Sequence, residues 1–265
     1  IGGNLNIGSF ENGGIPLLTS LTGLNNLISI GGNLGIKYND VLTSLTGLDR
    51  LNSIGGYLSI GWNALTSLSG LEGLAFIGGD LEIRNNYNLT CLTGLDNVTF
   101  IGGFTFIDNN IALNSLSGLQ NLTSIAGDLY IGNNYLLTTL SGMDNVTSIG
   151  GDLYIYFNGA LTSLTGLEGL TTIGSIILQG NGALSSLTGL DNVTSITGSL
   201  WIGGINPQSS NSALTSLTGL NNVTSIGGDL GIKYHDALTS LDGLDNVTSI
   251  GGNLSIYSND QLTSL

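Results

Sequence analysis

Residues 137–160 read Leu-Thr-Thr-Leu-Ser-Gly-Met-Asp-Asn-Val-Thr-Ser-Ile-Gly-Gly-Asp-Leu-Tyr-Ile-Tyr-Phe-Asn-Gly-Ala, and this pattern recurs about every 24 residues along the chain. A fixed period of this length is typical of solenoid proteins, in which each copy packs on its neighbours. No linker interrupts the pattern, so residues 1–265 are predicted to form a single repeat domain. Because the sequence opens and closes in mid-repeat, we expect it to be part of a longer array. Full copies begin at Leu18, Leu42, Leu65, Leu89, Leu113, Leu137, Leu161, Leu184, Leu214 and Leu238.

Charged side chains are few and mostly acidic. Asp and Glu number 18 against 4 Lys and Arg, which gives a formal net charge of −14 at pH 7. A chain without a basic surface is expected to bind neither nucleic acid nor an anionic membrane. No apolar run is long enough to cross a bilayer, so membrane insertion is not expected. The single cysteine, Cys91, stands where most copies carry Ser and is predicted to be a small inward-facing residue.

Each copy contains a short segment in which the side chains alternate between two environments. In the segment 152–156, Leu153 and Ile155 are expected to face inward, whereas Tyr154 faces outward, which is the period of a β-strand. Glycine corners, such as Gly150 and Gly151, leave no room for a helix of useful length. The sequence therefore predicts an all-β fold, a parallel β-solenoid with about 24 residues per coil and roughly 11 coils.

An asparagine follows the alternating segment in most copies. Stacked amides can hydrogen-bond to the turn and to the next coil, so we expect these residues to form a ladder. His235 takes this position in one copy, and we interpret it as a ladder substitute, since no second His or ligand Cys accompanies it as a catalytic base or metal site would require. The aligned asparagines are Asn39, Asn63, Asn86, Asn110, Asn134, Asn158, Asn181 and Asn259.

The consensus Leu-x-x-Leu-x-Gly-Leu-x-x-Val/Leu-x-x-Ile-Gly-Gly-x-Leu-x-Ile-x-x-Asn resembles the receptor L-domain type of leucine-rich repeat. Similar repeats occur in secreted surface proteins of marine Bacteroidetes and in fungal cell-wall proteins. This resemblance implies a right-handed β-helix, a location outside the cytoplasm, and a binding or structural role in place of catalysis. The chain lacks the flanking cysteines of animal receptor L domains. Its copies are very alike, and we expect a secreted bacterial protein, extracellular or at the cell surface.

No enzyme motif is present. The chain has no phosphate-binding loop with Lys and no metalloprotease or paired-cysteine motif, and its one His cannot support a usual Ser-His-acid arrangement. We therefore expect no catalytic residues, no cofactor and no metal site. One column of acidic residues leaves Ca²⁺ open as an alternative to simple turn capping. Its members are Asp49, Glu72, Asp96, Asp144, Glu168, Asp191 and Asp245.

Large apolar side chains occupy the outward centre of the alternating segment in five consecutive middle copies, where the end copies have mostly small residues. Such a stripe often marks a binding surface, and flat aromatic rows suit sugars or extended polymers. An insertion at residues 204–211 lies next to it. The alternative is that aromatic residues reinforce the stacked sheet through their strand propensity. The candidate ligand-binding residues are Phe106, Tyr130, Tyr154, Tyr156, Ile177 and Trp201.

Two further columns suggest other functions. Threonines such as Thr90, Thr138 and Thr162 recur at one position, which resembles the Thr rows of ice-binding solenoids, although ordinary β-branched packing explains them too. Asn-x-Thr triplets, for example at Asn97 and Asn145, would carry glycans in a eukaryotic secretory host.

From these patterns we predict a non-enzymatic extracellular adhesion or ligand-recognition module whose partner is an extracellular protein or a polysaccharide such as a glycan. One alternative is a structural subunit of a fibre or sheath, in which copies self-associate through open solenoid ends. A further alternative is an ice-binding protein that uses the Thr column.

Overall fold

The computed structural model describes residues 1–9 and 13–265 and confirms a parallel β-solenoid. One strand from each coil joins an 11-stranded sheet in which every neighbouring pair is parallel. The register advances by one repeat per strand, so that Tyr130 pairs with Tyr154 and Ile131 with Ile155. These strands are β1 (Leu5–Ile7), β3 (Leu34–Asn39), β5 (Leu58–Asn63), β7 (Leu81–Arg84), β9 (Thr105–Asp108), β11 (Leu129–Gly132), β13 (Leu153–Tyr156), β15 (Ile176–Gln179), β17 (Leu200–Ile202), β19 (Leu230–Lys233) and β21 (Leu254–Tyr257).

Two-residue strands form a second side of the solenoid, in a six-stranded and a four-stranded sheet. The first sheet contains β2 (Ser29–Ile30), β4 (Ser53–Ile54), β6 (Phe76–Ile77), β8 (Phe100–Ile101), β10 (Ser124–Ile125) and β12 (Ser148–Ile149). The second contains β14 (Thr172–Ile173), β16 (Ser195–Ile196), β18 (Ser225–Ile226) and β20 (Ser249–Ile250). Tight turns close each coil. In the described residues the only helical segments are 3₁₀ turns at Thr22–Leu24 and Pro207–Ser209, and no helix is long and apolar enough to cross a membrane.

The core is a column of aliphatic side chains along the solenoid axis. Each buried side chain of this size stabilises the fold by ~1.5–3 kcal/mol, but a single coil leaves both of its flat faces open, so the burial depends on stacking. The buried apolar residues of one coil are Leu129, Ile131, Leu137, Leu140, Met143, Val146 and Ile149.

Corner glycines allow the coils to approach closely. Gly166 has φ of +113°, a conformation that side chains rarely adopt, and a Cβ there would meet the carbonyl oxygen of Leu140 in the preceding coil. Cys91 lies just before the equivalent corner glycine of its own coil, Gly94, and is half-buried, so the prediction that it faces inward is wrong. Its Sγ lies 3.3 Å from Thr93 Oγ1, in the contact that Ser and Thr hydroxyls make in other copies.

A ladder of buried asparagines runs along one edge of the large sheet. Asn134 Nδ2 donates to the carbonyl oxygen of Ile107 in the preceding coil at 3.0 Å. Asn134 Oδ1 accepts the backbone N–H of Asn110 at 3.1 Å. Asn211 continues this pattern in the copy with the insertion, because its Oδ1 accepts the Asn181 N–H. The insertion shifts Asn211 in the sequence, which is why the aligned copies did not identify it.

His235 occupies the ladder position in the next coil. Its backbone N–H donates to Asn259 Oδ1 at 3.1 Å, and its Nδ1 lies 3.4 Å from the Asn211 carbonyl oxygen. The side chain is fully buried, and Nε2 has no hydrogen-bond partner among the described residues. Burial lowers the pKa of His235, which favours the neutral imidazole. Because Nδ1 lies against a carbonyl oxygen and Nε2 is unpartnered, neither ring nitrogen takes the place of the asparagine Oδ1 that accepts a backbone N–H of the preceding coil in the other copies.

Candidate functional site

The predicted stripe forms one continuous row on the outer face of the large sheet. Strand pairing places its members opposite one another in adjacent coils, because each occupies the same outward position of its strand. We call this row the aromatic ridge, and it consists of Phe106, Tyr130, Tyr154, Ile177 and Trp201. Tyr156 does not belong to the row, since it lies two residues further along its strand and pairs with Gly132.

Three rings of the ridge, those of Phe106, Tyr130 and Tyr154, contact one another along the solenoid axis. Tyr130 and Tyr154 are nearly parallel, with ring centroids 4.2 Å apart and planes 7° apart. Phe106 lies 5.6 Å from Tyr130 at 44°. Every ridge residue is half-buried, so the outward-facing stripe is only partly open to the solvent. The coil spacing brings the neighbouring rings of Phe106, Tyr130 and Tyr154 into contact.

Two aspartates fix the tyrosine hydroxyls. Tyr130 Oη donates to Asp128 Oδ2 at 2.9 Å, and Tyr154 Oη donates to Asp152 Oδ2 at 3.2 Å. Asp128 Oδ1 also accepts the Asp152 backbone N–H at 2.8 Å, which holds the first carboxylate against the next coil. Burial, followed by the hydrogen bond to Asp128, raises the pKa of Tyr130. The hydroxyls are therefore neutral and oriented near pH 7.

Tyr156 covers the neighbouring coil beside the ridge. Gly132 has no side chain at the paired position, and a Cβ there would meet the Tyr156 ring. Tyr156 Oη donates to Asp108 Oδ1 at 3.1 Å, two coils away. Burial is the main cause that raises the pKa of Tyr156, and the charge of Asp108 adds to it. Tyr156 therefore connects three coils and places one more aromatic ring beside the ridge.

A cation extends the ridge at its amino-terminal end. The Arg84 guanidinium carbon lies 5.3 Å from the centroid of the Trp62 ring and 5.8 Å from that of Phe106. Trp62 in turn stacks on Tyr38, with centroids 4.7 Å apart. We did not predict this extension from the sequence. Its signal was available, because Arg84 follows Ile83 at an outward strand position.

The carboxyl-terminal end of the ridge meets the insertion. Trp201 lies over Gly231, where a Cβ would meet the indole ring. The Lys233 Nζ atom lies 4.3 Å from the centroid of the Trp201 ring and 5.0 Å from that of Tyr257. A groove of about 320 Å³, which we call the insertion groove, opens here over the backbone of residues 203 and 204. Its side chains belong to Ile177, Gln179, Trp201, Ile205 and Lys233.

The insertion is held to the solenoid while its tip projects. The backbone N–H of Gly180 donates to the carbonyl oxygen of Ser209 at 2.9 Å, and Ser209 is buried. The Ser209 hydroxyl bonds to Asn206 Oδ1 at 3.1 Å within the loop. Ile205 at the tip is 89% exposed. This arrangement gives the groove an apolar wall.

An exposed aromatic pair lies on the second side of the solenoid. Phe76 and Phe100 pair in adjacent coils, with ring centroids 6.4 Å apart and planes 23° apart. They stand at a position that is Ser or Thr in the other copies, and this departure from the consensus was the signal in the sequence. The pair belongs to a different face from the aromatic ridge.

The acidic column caps turns. Asp144 Oδ2 accepts the backbone N–H of Gly142 at 2.7 Å, and Asp96 makes the same bond to Gly94. Gln120 replaces the carboxylate in one copy and bonds in the same way to Gly118. Within residues 1–9 and 13–265, no group of three or more His, Cys, Asp or Glu side chains could hold a metal ion. The geometry supports the turn-capping interpretation of this column.

The Thr column and the Asn-x-Thr triplets also make bonds within the fold. Thr162 Oγ1 donates to the Thr138 carbonyl oxygen of the preceding coil at 3.2 Å, and Thr90 does the same to Thr66. Asn145 Nδ2 donates to the carbonyl oxygen of Gln120 at 2.6 Å. Both columns thus stabilise contacts between coils, which accounts for their regular spacing.

The chain matches the model of a known protein family. A family model described as a BspA-type leucine-rich repeat region of six copies matches residues 35–159, 83–202 and 133–263. The matched ranges overlap and together include every residue of the ridge and of the insertion groove. No curated protein matches the chain.

Proposed function

The chain belongs to the BspA-type leucine-rich repeat family, and from this premise we propose that it is an extracellular adhesion or ligand-recognition module that binds through the aromatic ridge. Proteins of this family are commonly surface or adhesion repeat proteins, and leucine-rich repeat families are typically non-enzymatic. The proposed location is the outside of a bacterial cell, and the proposed partner is a surface glycan or an extracellular protein. We also propose that the repeats are of the receptor L-domain type.

The observation that carries this proposal is the continuity of the ridge across five coils. Half-buried rings with fixed positions lose little conformational freedom when a ligand binds, and Tyr and Trp are enriched at binding surfaces for this reason. The ridge is also a place where the copies differ from one another, because Gly35, Ser59 and Ser255 stand at the same position elsewhere. Fold maintenance alone does not require aromatic rings there.

The test compares the wild type with a Tyr130→Ala, Tyr154→Ala double variant on a glycan array and on whole bacterial and host cells. The matched control is Tyr87→Ala with Tyr135→Ala, because these two tyrosines lie off the ridge and are each 49% exposed. Circular dichroism checks the β-structure of every variant. We expect the ridge variant to lose retention on the surface that the wild type binds, while the control keeps it.

The contrary outcomes lead to the alternatives. Equal retention by the wild type and the ridge variant would remove the ridge from the proposal. If the wild type binds no surface, concentration-dependent assembly in sedimentation would favour the fibre or sheath. Thermal hysteresis that disappears when Thr90, Thr138 and Thr162 are replaced by bulky residues would favour ice binding.

A further inference from the structure

The insertion groove differs in charge from the rest of the molecule. Acidic side chains outnumber basic ones by 18 to 4 in the chain, yet none lines this groove. Its only charged side chain is Lys233. A pocket that excludes carboxylates in so acidic a protein is suited to a ligand that carries a negative charge itself.

Among the basic side chains of the described residues, only Lys37 forms an ion pair, and only Lys233 lines the insertion groove. Lys37 pairs with Glu82 at 3.7 Å, and Arg84 lies between Trp62 and Phe106. Lys233 has no carboxylate within ion-pair distance among the described residues. The Trp201 and Tyr257 rings hold its ammonium group on the groove wall without neutralising it. The positive charge therefore remains available to a ligand.

The remaining side chains fit one face of a sugar ring. Trp201, Ile177 and Ile205 offer apolar surface to C–H groups, and the Gln179 amide can donate to and accept from hydroxyls. The groove volume of about 320 Å³ lies at the lower end of the range for small-molecule pockets, ~300–1,000 Å³, which corresponds to a short ligand segment.

We propose that the insertion groove binds a single anionic sugar unit, with its carboxylate or sulfate on Lys233 Nζ and its C–H face against Trp201 and Ile205. This inference deepens the proposed function and rests on it for the biological context. The net charge of −14 repels a long polyanion, so the ligand is one charged unit in an otherwise neutral glycan or at its end.

The experiment measures affinity by Trp fluorescence and calorimetry with matched disaccharides. The probes are disaccharides that end in glucuronate or galacturonate, disaccharides that end in glucose 6-sulfate or galactose 6-sulfate, and the neutral disaccharides of the same linkage. We expect at least one anionic probe to bind about tenfold tighter than its neutral partner, which corresponds to one charge-assisted hydrogen bond. A comparison of the carboxylate probes with the sulfate probes identifies which anionic group the groove prefers. A higher salt concentration should weaken the anionic probes alone.

Two substitutions locate the site. Lys233→Gln should remove the preference for the anionic probe and leave the neutral one unchanged, and Ile205→Ser should weaken both. Lys37→Gln is the matched control, because Lys37 holds the same outward position of its strand but pairs with Glu82. Equal affinities for anionic and neutral probes, no binding of any probe, or an unchanged preference in Lys233→Gln would each overturn this proposal.

The ridge variant separates this proposal from the proposed function. If Tyr130→Ala with Tyr154→Ala keeps both cell retention and the anionic preference, the ridge proposal fails and the groove proposal stands. If the ridge variant loses cell retention while Lys233→Gln changes no affinity, the reverse holds.

Discussion

The Tyr130 ring lies 4.2 Å from the Tyr154 ring and 7° from parallel to it, although the two residues are 24 positions apart in the sequence. The parallel register of β11 and β13 produces this contact, because it places equivalent residues of consecutive coils side by side. Each hydroxyl is then bound to an aspartate of its own coil. The ridge is therefore both a surface feature and a part of the packing between coils.

The stacked pair should contribute to stability. Tyr154→Ala removes one partner of the stack and is expected to cost ~1–2 kcal/mol, because aromatic pairs contribute ~0.5–1.5 kcal/mol beyond their burial. Tyr154→Phe keeps the stack and loses only the hydroxyl contact with Asp152, so we expect a cost of ~1 kcal/mol or less. Urea denaturation followed by circular dichroism measures both. Equal losses in the two variants would show that the hydroxyl, and not the ring, is responsible.

The buried asparagine ladder should contribute more to the free energy of unfolding than the exposed asparagines of the Asn-x-Thr triplets. Asn134→Ala leaves the Asn110 N–H and the Ile107 carbonyl oxygen without their partner in the core, and we expect a loss of ~2–4 kcal/mol. Asn145→Ala removes one exposed bond to Gln120 and should cost ~0.5–1 kcal/mol. Denaturation midpoints of the two variants test this order. Similar values would mean that water satisfies the ladder groups when the amide is absent.

His235 should make the stability depend on pH. Its folded pKa is lowered, chiefly by burial, so the unfolded chain binds a proton more readily than the folded one below the ordinary His pKa of about 6.5. The contribution of His235 is then complete above about pH 6.5 and is lost as the pH falls toward its lowered folded pKa. His235→Asn should abolish this dependence and add ~1 kcal/mol by restoring the ladder acceptor for the preceding coil.

Thermal denaturation of the wild type and His235→Asn between about pH 7.5 and 5 checks this prediction, within the range where His titrates. The carboxylates are common to both proteins, so a difference between the two profiles reports on His235. Parallel pH profiles for the two proteins would exclude His235 as the source of the dependence.

The acidic column should tolerate neutral amides. Asp144→Asn retains the acceptor for the Gly142 N–H, as Gln120 and Asn221 do in their own copies, and should change the stability by less than ~0.5 kcal/mol. Asp144→Ala loses the turn cap and should cost ~1 kcal/mol. Melting temperatures with EDTA and with added CaCl₂ complete the test. A rise with Ca²⁺ that disappears in Asp144→Asn would instead favour a calcium site in this column.

The sequence alone was sufficient to predict the solenoid and the residues that form the ridge. A 24-residue period with glycine corners leaves few arrangements other than stacked coils, and the two-residue alternation of Tyr154 between Leu153 and Ile155 determines which side chains face outward. Parallel register then follows, because equivalent residues must bury the same core. For the same reason the sequence alone predicted the asparagine ladder that contains Asn134.

Contacts that depend on side-chain direction were decided only in three dimensions. The repeat predicts that Tyr130 and Tyr154 lie in one row. It does not predict that their rings face each other, which follows from the spacing of the coils. Asn211 joins the ladder only after the insertion folds back on Gly180. The groove at Lys233 likewise exists because the insertion and three strands meet there. A periodic sequence specifies what every coil shares, whereas the irregular residues acquire their partners from the packing of whole coils.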